Sequence, residues 1–131
     1  MKPLVVDTSV WVHWLRGEKL DKFEEAKART QHMPAIVALE LTAGVRERNG
    51  ARAVMHLIES FRRGGRLLIP IDREFERAGE TLADLSWPAS KKSNDVLIAI
   101  LARRIGAEVW TADEADFRPV ARALGLTVTV F

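Results

Sequence analysis

Asp7, Glu40, Asp95 and Asp113 lie in the strings Val6-Asp7-Thr8-Ser9, Ala38-Leu39-Glu40-Leu41, Ser93-Asn94-Asp95-Val96 and Thr111-Ala112-Asp113-Glu114-Ala115-Asp116. Each string puts a carboxylate inside, or at the edge of, a run that otherwise reads as core. An ionised carboxylate in apolar surroundings is expensive unless something pairs with it. Four of them in one short chain point to a shared positive partner. A hard divalent ion, which prefers oxygen ligands, is the simplest candidate. The chemistry that follows is metal-dependent attack on a phosphodiester.

Each acid also has an ordinary structural reading. Glu40 is the only charge in Ala35–Val45, AIVALELTAGV, and can be a half-exposed residue on a buried helix. Acids are almost never fully buried unpaired, so the functional reading leads there. Asp95 precedes seven consecutive apolar residues, Val96–Ala102. Read as a first-turn acid behind a Ser93 cap, it is favoured by the helix dipole alone. Asp7 can cap a helix, but Thr8 and Ser9 can each do that, which frees their hydroxyls to orient the carboxylate or hold a water. Asp113 and Asp116 also suit a turn and a first helical turn. Asp113 is closer to the preceding strand and is the better fourth member, with Asp116 as helper.

The elements that must position these residues follow from the pattern. Leu4–Val6 reads as a buried strand, followed by a helix to Arg16 that Gly17 closes. Helices are expected over 20–31, 34–48, 51–63, 72–85, 93–105 and 115–124. Strands are expected at 67–69, 109–111 and 127–130, with Trp87-Pro88 in a loop. Short aliphatic strands alternating with helices indicate an α/β fold with a parallel sheet. Ligands in such sheets bind outside the carboxyl ends of the strands, where Asp7 and Asp113 both fall.

At 131 residues the chain is expected to be a single domain spanning 1–131. Hydrophobic residues make up 47% and charged residues 29%, a soluble balance. No apolar run approaches the ~18 residues of a membrane span. Met1-Lys2-Pro3 leads directly into a strand-like segment, so no leader is expected. There is no cysteine, which excludes disulfides and thiolate metal sites and fits a cytoplasmic setting. The net charge is +2 and the pI about 9.3, a weak pointer to nucleic acid. Lys91 and Lys92, just before Asp95, are candidate backbone contacts. Arg62, Arg63 and Arg66 read as solvated loop charge, His13 as surface, and Trp11 and Trp14 as packing or a partner face.

Taken together, VVDTSVWVHWLRG, an EL dipeptide on an early helix, NDVLIAILA and TADEADF resemble a PIN-domain ribonuclease of the VapC toxin type. The resemblance runs in order over nearly the whole chain, and the opening DTSVW…LRG string is its most specific part. It implies a three-layer α/β/α sandwich with a central parallel sheet. It also implies an endoribonuclease dependent on Mg²⁺ or Mn²⁺ and neutralised by a VapB-like antitoxin, with a homodimer joining antitoxin in a heterotetramer or larger assembly. Carried onto this chain, the acidic site is Asp7, Glu40, Asp95 and Asp113, with Asp116 auxiliary. Asp7 and Asp95 would be the most direct ligands. Thr8, Ser9, Asn94 and Thr111 would be the supporting polar groups.

Two other kinds of domain place acids at strand ends. A phosphatase of the haloacid dehalogenase type wants an acid at the third position of its first motif, where this chain has Ser9. A receiver domain wants a late strand-end lysine, and none follows Lys92. A PIN-like module without catalysis should lack one of the acids, and all are present.

Overall fold

The computed structural model describes residues 1–131. Five strands form one all-parallel sheet in the order β3-β2-β1-β4-β5: β1 Leu4–Val6, β2 Gln31–Pro34, β3 Leu67–Leu68, β4 Glu108–Thr111 and β5 Val128–Val130. Seven helices surround it: α1 Thr8–Leu15, α2 Leu20–Lys27, α3 Ala35–Gly44, α4 Arg48–Arg63, α5 Asp72–Leu85, α6 Ala89–Arg104 and α7 Glu114–Leu124. The expected α/β fold is the observed one. Parallel strands need crossovers of one hand. The chain therefore steps outward from β1 through β2 to β3, then returns with β4 on the other side of β1. Helices α1, α3 and α4 contact one another, as do α5, α6 and α7.

The core explains these elements. Leu4, Val5, Val6 and Val109 are buried on a sheet covered on both faces, which is why the strands read as unbroken aliphatic runs. All seven residues from Val96 to Ala102 are buried, so α6 has no solvated face over those two turns, and beyond them Arg103 and Arg104 are exposed. At the amino edge of the sheet, Arg29 pairs with Glu108 and donates to the Lys2 carbonyl at 2.7 Å. Glu108 also accepts from Thr129 at 2.8 Å and Trp110 at 3.2 Å.

Three expectations are corrected. The helix expected over 20–31 stops at Lys27, and Gln31–Pro34 forms strand β2 between β1 and β3. Its polar Gln31 and His32 carry no strand signature. Only Met33 and Pro34 are buried, and the pairing to β1 and β3 makes the strand. Helix α6 begins at Ala89, not at a Ser93 cap, because Pro88 supplies an extended N-cap and its carbonyl accepts from the amides of Lys91 and Lys92. Helix α3 ends at Gly44, and α4 starts at Arg48.

The packing makes a direct prediction. Leu101 is fully buried, whereas Leu39 is 63% exposed. Leu101→Ala should cost about 2–5 kcal/mol in urea unfolding, and Leu39→Ala less than about 0.5 kcal/mol.

Candidate active site

Asp7 directly follows β1, beside β4, at the point where the strand order reverses. Crevices of this kind are where open α/β sheets place ligands. Its amide donates to the Trp110 carbonyl at 2.9 Å, and its own carbonyl accepts from Val10 and Trp11 to start α1. The carboxylate is buried. Its Oδ2 accepts from Ser9 Oγ at 2.6 Å and Thr111 Oγ1 at 3.0 Å, which leaves Oδ1 without a side-chain donor. The same two hydroxyls accept in turn: Ser9 from the Ala112 amide at 3.0 Å, Thr111 from the Asp113 amide at 2.9 Å. Ser9 therefore does not cap α1. It ties the β1–α1 junction to the β4–α7 loop.

The other acids gather around this junction from three helices. Glu40, half-buried on α3, accepts from Thr8 Oγ1 at 2.8 Å. These two side chains line a cavity of about 230 Å³ with Val12, Arg16 and Leu41. Asp95, half-buried, lies in the second turn of α6 rather than the first, so the helix-dipole account of it weakens. Asp113 is exposed at the N-cap position of α7, and half-buried Asp116 follows in the first turn. Lys92, three residues before Asp95, pairs with Asp116. Lys91 and Asn94 are exposed beside them.

The acids and Lys92 act on one another's ionisation. Asp95 is pushed up to about 7, first by burial, then by the charges of Asp7, Asp116 and Glu40, with Lys92 opposing. A hydrogen bond between the two carboxyls, together with burial and the Asp116 charge, holds Asp113 above the ordinary carboxylate range. That bond and the ammonium of Lys92 hold Asp116 below it. The Lys92 ammonium is raised by its bond to Asp116 and by the charges of Asp116, Asp95 and Asp113. Of the three acids in the last string, Asp116 is the one whose charge acts on Asp95.

The donor set suits a hard divalent cation. It is all oxygen, it contains a half-buried carboxyl with no hydrogen bond to relieve it, and the chain offers no thiolate. No three acids converge into a ready-made cage. Three of the five acids are instead engaged by other side chains, Asp7 by two hydroxyls, Glu40 by Thr8 and Asp116 by Lys92. Like charges with local donors in reach behave this way.

Residues outside the site sort by packing. Trp11 is buried against Trp14, Phe23 and Phe61 at centroid distances of 5.6, 5.9 and 6.3 Å. This aromatic group lines a cavity of about 480 Å³ that contains none of the acids. His13 is half-buried and contacts Glu18 at 3.2 Å. Arg66 is not solvated loop charge: it is half-buried and donates to the Gln31 carbonyl at 2.9 Å, bracing the loop before β3. Trp87, without an assigned role in the sequence, has the Lys92 ammonium 5.3 Å from its ring centroid. The one sequence signal for that contact was Trp87's nearness to the lysine pair.

A five-stranded all-parallel sheet with acids at the carboxyl edge of β1 and β4 defines a class, and the comparisons agree with it. The PIN domain family model matches residues 4–123, and the chain belongs to that family. Among curated proteins nothing matches. Three solved structures share the fold. A chain of VapBC2 from Rickettsia felis, bound to a DNA fragment from its promoter, is 18% identical with a TM-score of 0.72, covering 98% of this chain and 98% of that one. A chain of DNA-bound VapBC from Salmonella typhimurium is 18% identical with a TM-score of 0.71, covering 99% and 98%. A chain of VapBC-1 from nontypeable Haemophilus influenzae is 20% identical with a TM-score of 0.68, covering 98% and 97%. No helix is long and apolar enough to cross a membrane.

The raised Asp95 has a measurable consequence. Its folded-state pKa of about 7 lies above its ordinary value of 3.8, so the folded state binds more protons between those limits and loses stability as pH rises through them. Asp95→Asn lacks this titration. In metal-free buffer its melting temperature should match the wild type near pH 4 and exceed it by a few °C above pH 7.5. Parallel melting curves across that range would refute the raised Asp95.

Proposed function

We propose that this chain is a Mg²⁺- or Mn²⁺-dependent endoribonuclease, the VapC-type toxin of a toxin–antitoxin pair. The observation that carries the reading is an all-oxygen acid set about the carboxyl edge of the sheet, Asp7 just after β1, Glu40 on α3, Asp95 on α6 and Asp116 on α7, in which burial and the charges of the other three push Asp95 up to about 7. Membership of the PIN family supports it, and so does a fold shared with chains from VapBC complexes. An antitoxin partner, a homodimer within the toxin–antitoxin assembly, single-domain organisation and a cytoplasmic setting belong to the same reading.

Asp7 and Asp95 would hold the ion most directly, with Glu40 and Asp113 completing the oxygen set and Asp116 assisting. When bound, the ion supplies Lewis acidity toward the phosphate and a lowered water pKa. The chain supplies the rest. Ser9 and Thr111 fix the rotamer of Asp7, so its Oδ1 is the oxygen presented to a cation. Thr8 fixes Glu40, which orients or deprotonates the attacking water. Thr111 also holds the Asp113 amide, which sets the position of the second acidic loop. Asn94 flanks Asp95 on the outer side of α6. Lys91 and Lys92, just before Asp95 on α6, would contact an RNA backbone, and their contribution would appear as salt-dependent affinity.

Purified protein should cleave RNA in Mg²⁺ or Mn²⁺ and stop when a chelator is added. Asp7→Asn and Asp95→Asn should each lower the cleavage rate by about 10²-fold or more, as loss of one transition-state charge group does elsewhere. Full cleavage by either variant, or by the chelated wild type, would refute the metal site.

A further inference from the structure

Lys92 is the only basic side chain ion-paired with any of the five acids; every other ion pair lies elsewhere on the molecule. A lysine ammonium is ordinarily a mobile, well-hydrated point charge. This one is restrained on two sides. Nζ meets Asp116 across the α6–α7 contact and sits 5.3 Å from the ring centroid of Trp87. Trp87 is itself fixed, because its side chain packs on the core and its amide donates to the Leu82 carbonyl at 2.9 Å. Lys92 and Asp95 are three residues apart on one helix, so both look toward the same crevice. Lys91, one residue earlier, is exposed and paired with nothing.

We propose that Lys92 is a resident cation of the acidic crevice, held in place by Trp87 and Asp116, which a divalent ion must displace from Asp116 on loading. The proposal rests on reading the acids as a divalent-cation site. Two positive charges in one small crevice repel, and Asp116 cannot serve both at full strength. Lys92 therefore stabilises the metal-free protein and weakens metal binding. When Asp116 is released, the Trp87 ring keeps the ammonium at the edge of the crevice, where a phosphate can take it. Trp87 is a positioning residue in this scheme and touches no reacting atom.

The test is calorimetric titration of Mn²⁺ into the full chain at neutral pH, without RNA. Lys92→Met should bind Mn²⁺ about tenfold more tightly than the wild type, while its metal-free form melts at a lower temperature. Lys92→Arg keeps the charge and should bind within about twofold of wild type. Trp87→Leu, which frees the ammonium without removing it, should fall between wild type and Lys92→Met. If Lys92→Met does not fold, Lys92→Gln replaces it with the same expectation. Mn²⁺ binding by Lys92→Met at or below wild-type affinity overturns the proposal, as does equal tightening by Lys92→Arg. Asp95→Asn separates the two levels. If it abolishes Mn²⁺ binding, the cation site stands whatever Lys92 does; if it binds as well as wild type, or the wild type binds none, the site and the role of Lys92 fall together.

Discussion

Two hydroxyls donating to one oxygen of Asp7 hold a negative charge inside the end of a parallel sheet, and much of the site depends on that arrangement. A buried carboxylate is tolerable only when hydrogen-bonded. Here the donors come from α1 and from β4, so the bonds that relieve the charge also join the two sides of the crevice. Ser9 and Thr111 then accept from the amides of Ala112 and Asp113. The position of the second acidic loop is thus inherited from the first acid. The Asp7-Thr8-Ser9 tripeptide reaches three ways, since Thr8 orients Glu40 on α3.

The crevice is electrostatically uneasy by construction. Burial and three like charges act on Asp95 together, and Lys92 offsets them only in part. A structure optimised for stability alone would not gather acids so. The core beside it is conventional: β1 and the stretch Val96–Ala102 of α6 are buried throughout, with Asp7 directly after the one and Asp95 directly before the other. Local rules are broken where the chain has chemistry to do and obeyed elsewhere. The parallel sheet matters to function only because its carboxyl edge supplies the place. Many chemistries share such sheets, and the oxygen donor set selects among them.

Local sequence is read most easily where one physical effect dominates. The aliphatic run Leu4–Val6 ending at Asp7 has no soluble alternative to a buried strand. The helix from Asp72 to Leu85 has a strong amphipathic period and a capping glutamate, Glu74, whose side chain accepts from the Ile71 amide at 2.9 Å. Strand β2 could not be read this way, because Gln31 and His32 make it only by pairing with β1. Neither could the start of α6: the hydroxyl at Ser93 offered a cap, but the Pro88 carbonyl had already begun the helix a turn earlier.

The sequence alone determined the chemistry on offer: oxygen ligands without thiolates, four acids embedded in apolar runs, and strand ends that would place two of them on one edge. Those properties reside in residue type and near neighbours, so they survive without coordinates. The tertiary structure decided how the acids are coupled. It showed Asp116 within reach of Asp95, assigned the Ser9 and Thr111 hydroxyls to Asp7 rather than to a helix cap, and brought Lys92 between Trp87 and Asp116. Apart from the Ser9 bond, two positions from Asp7, these are contacts across 24 to 104 positions or between side chains on different elements. Charge interactions depend on distance through space, which chain order does not encode.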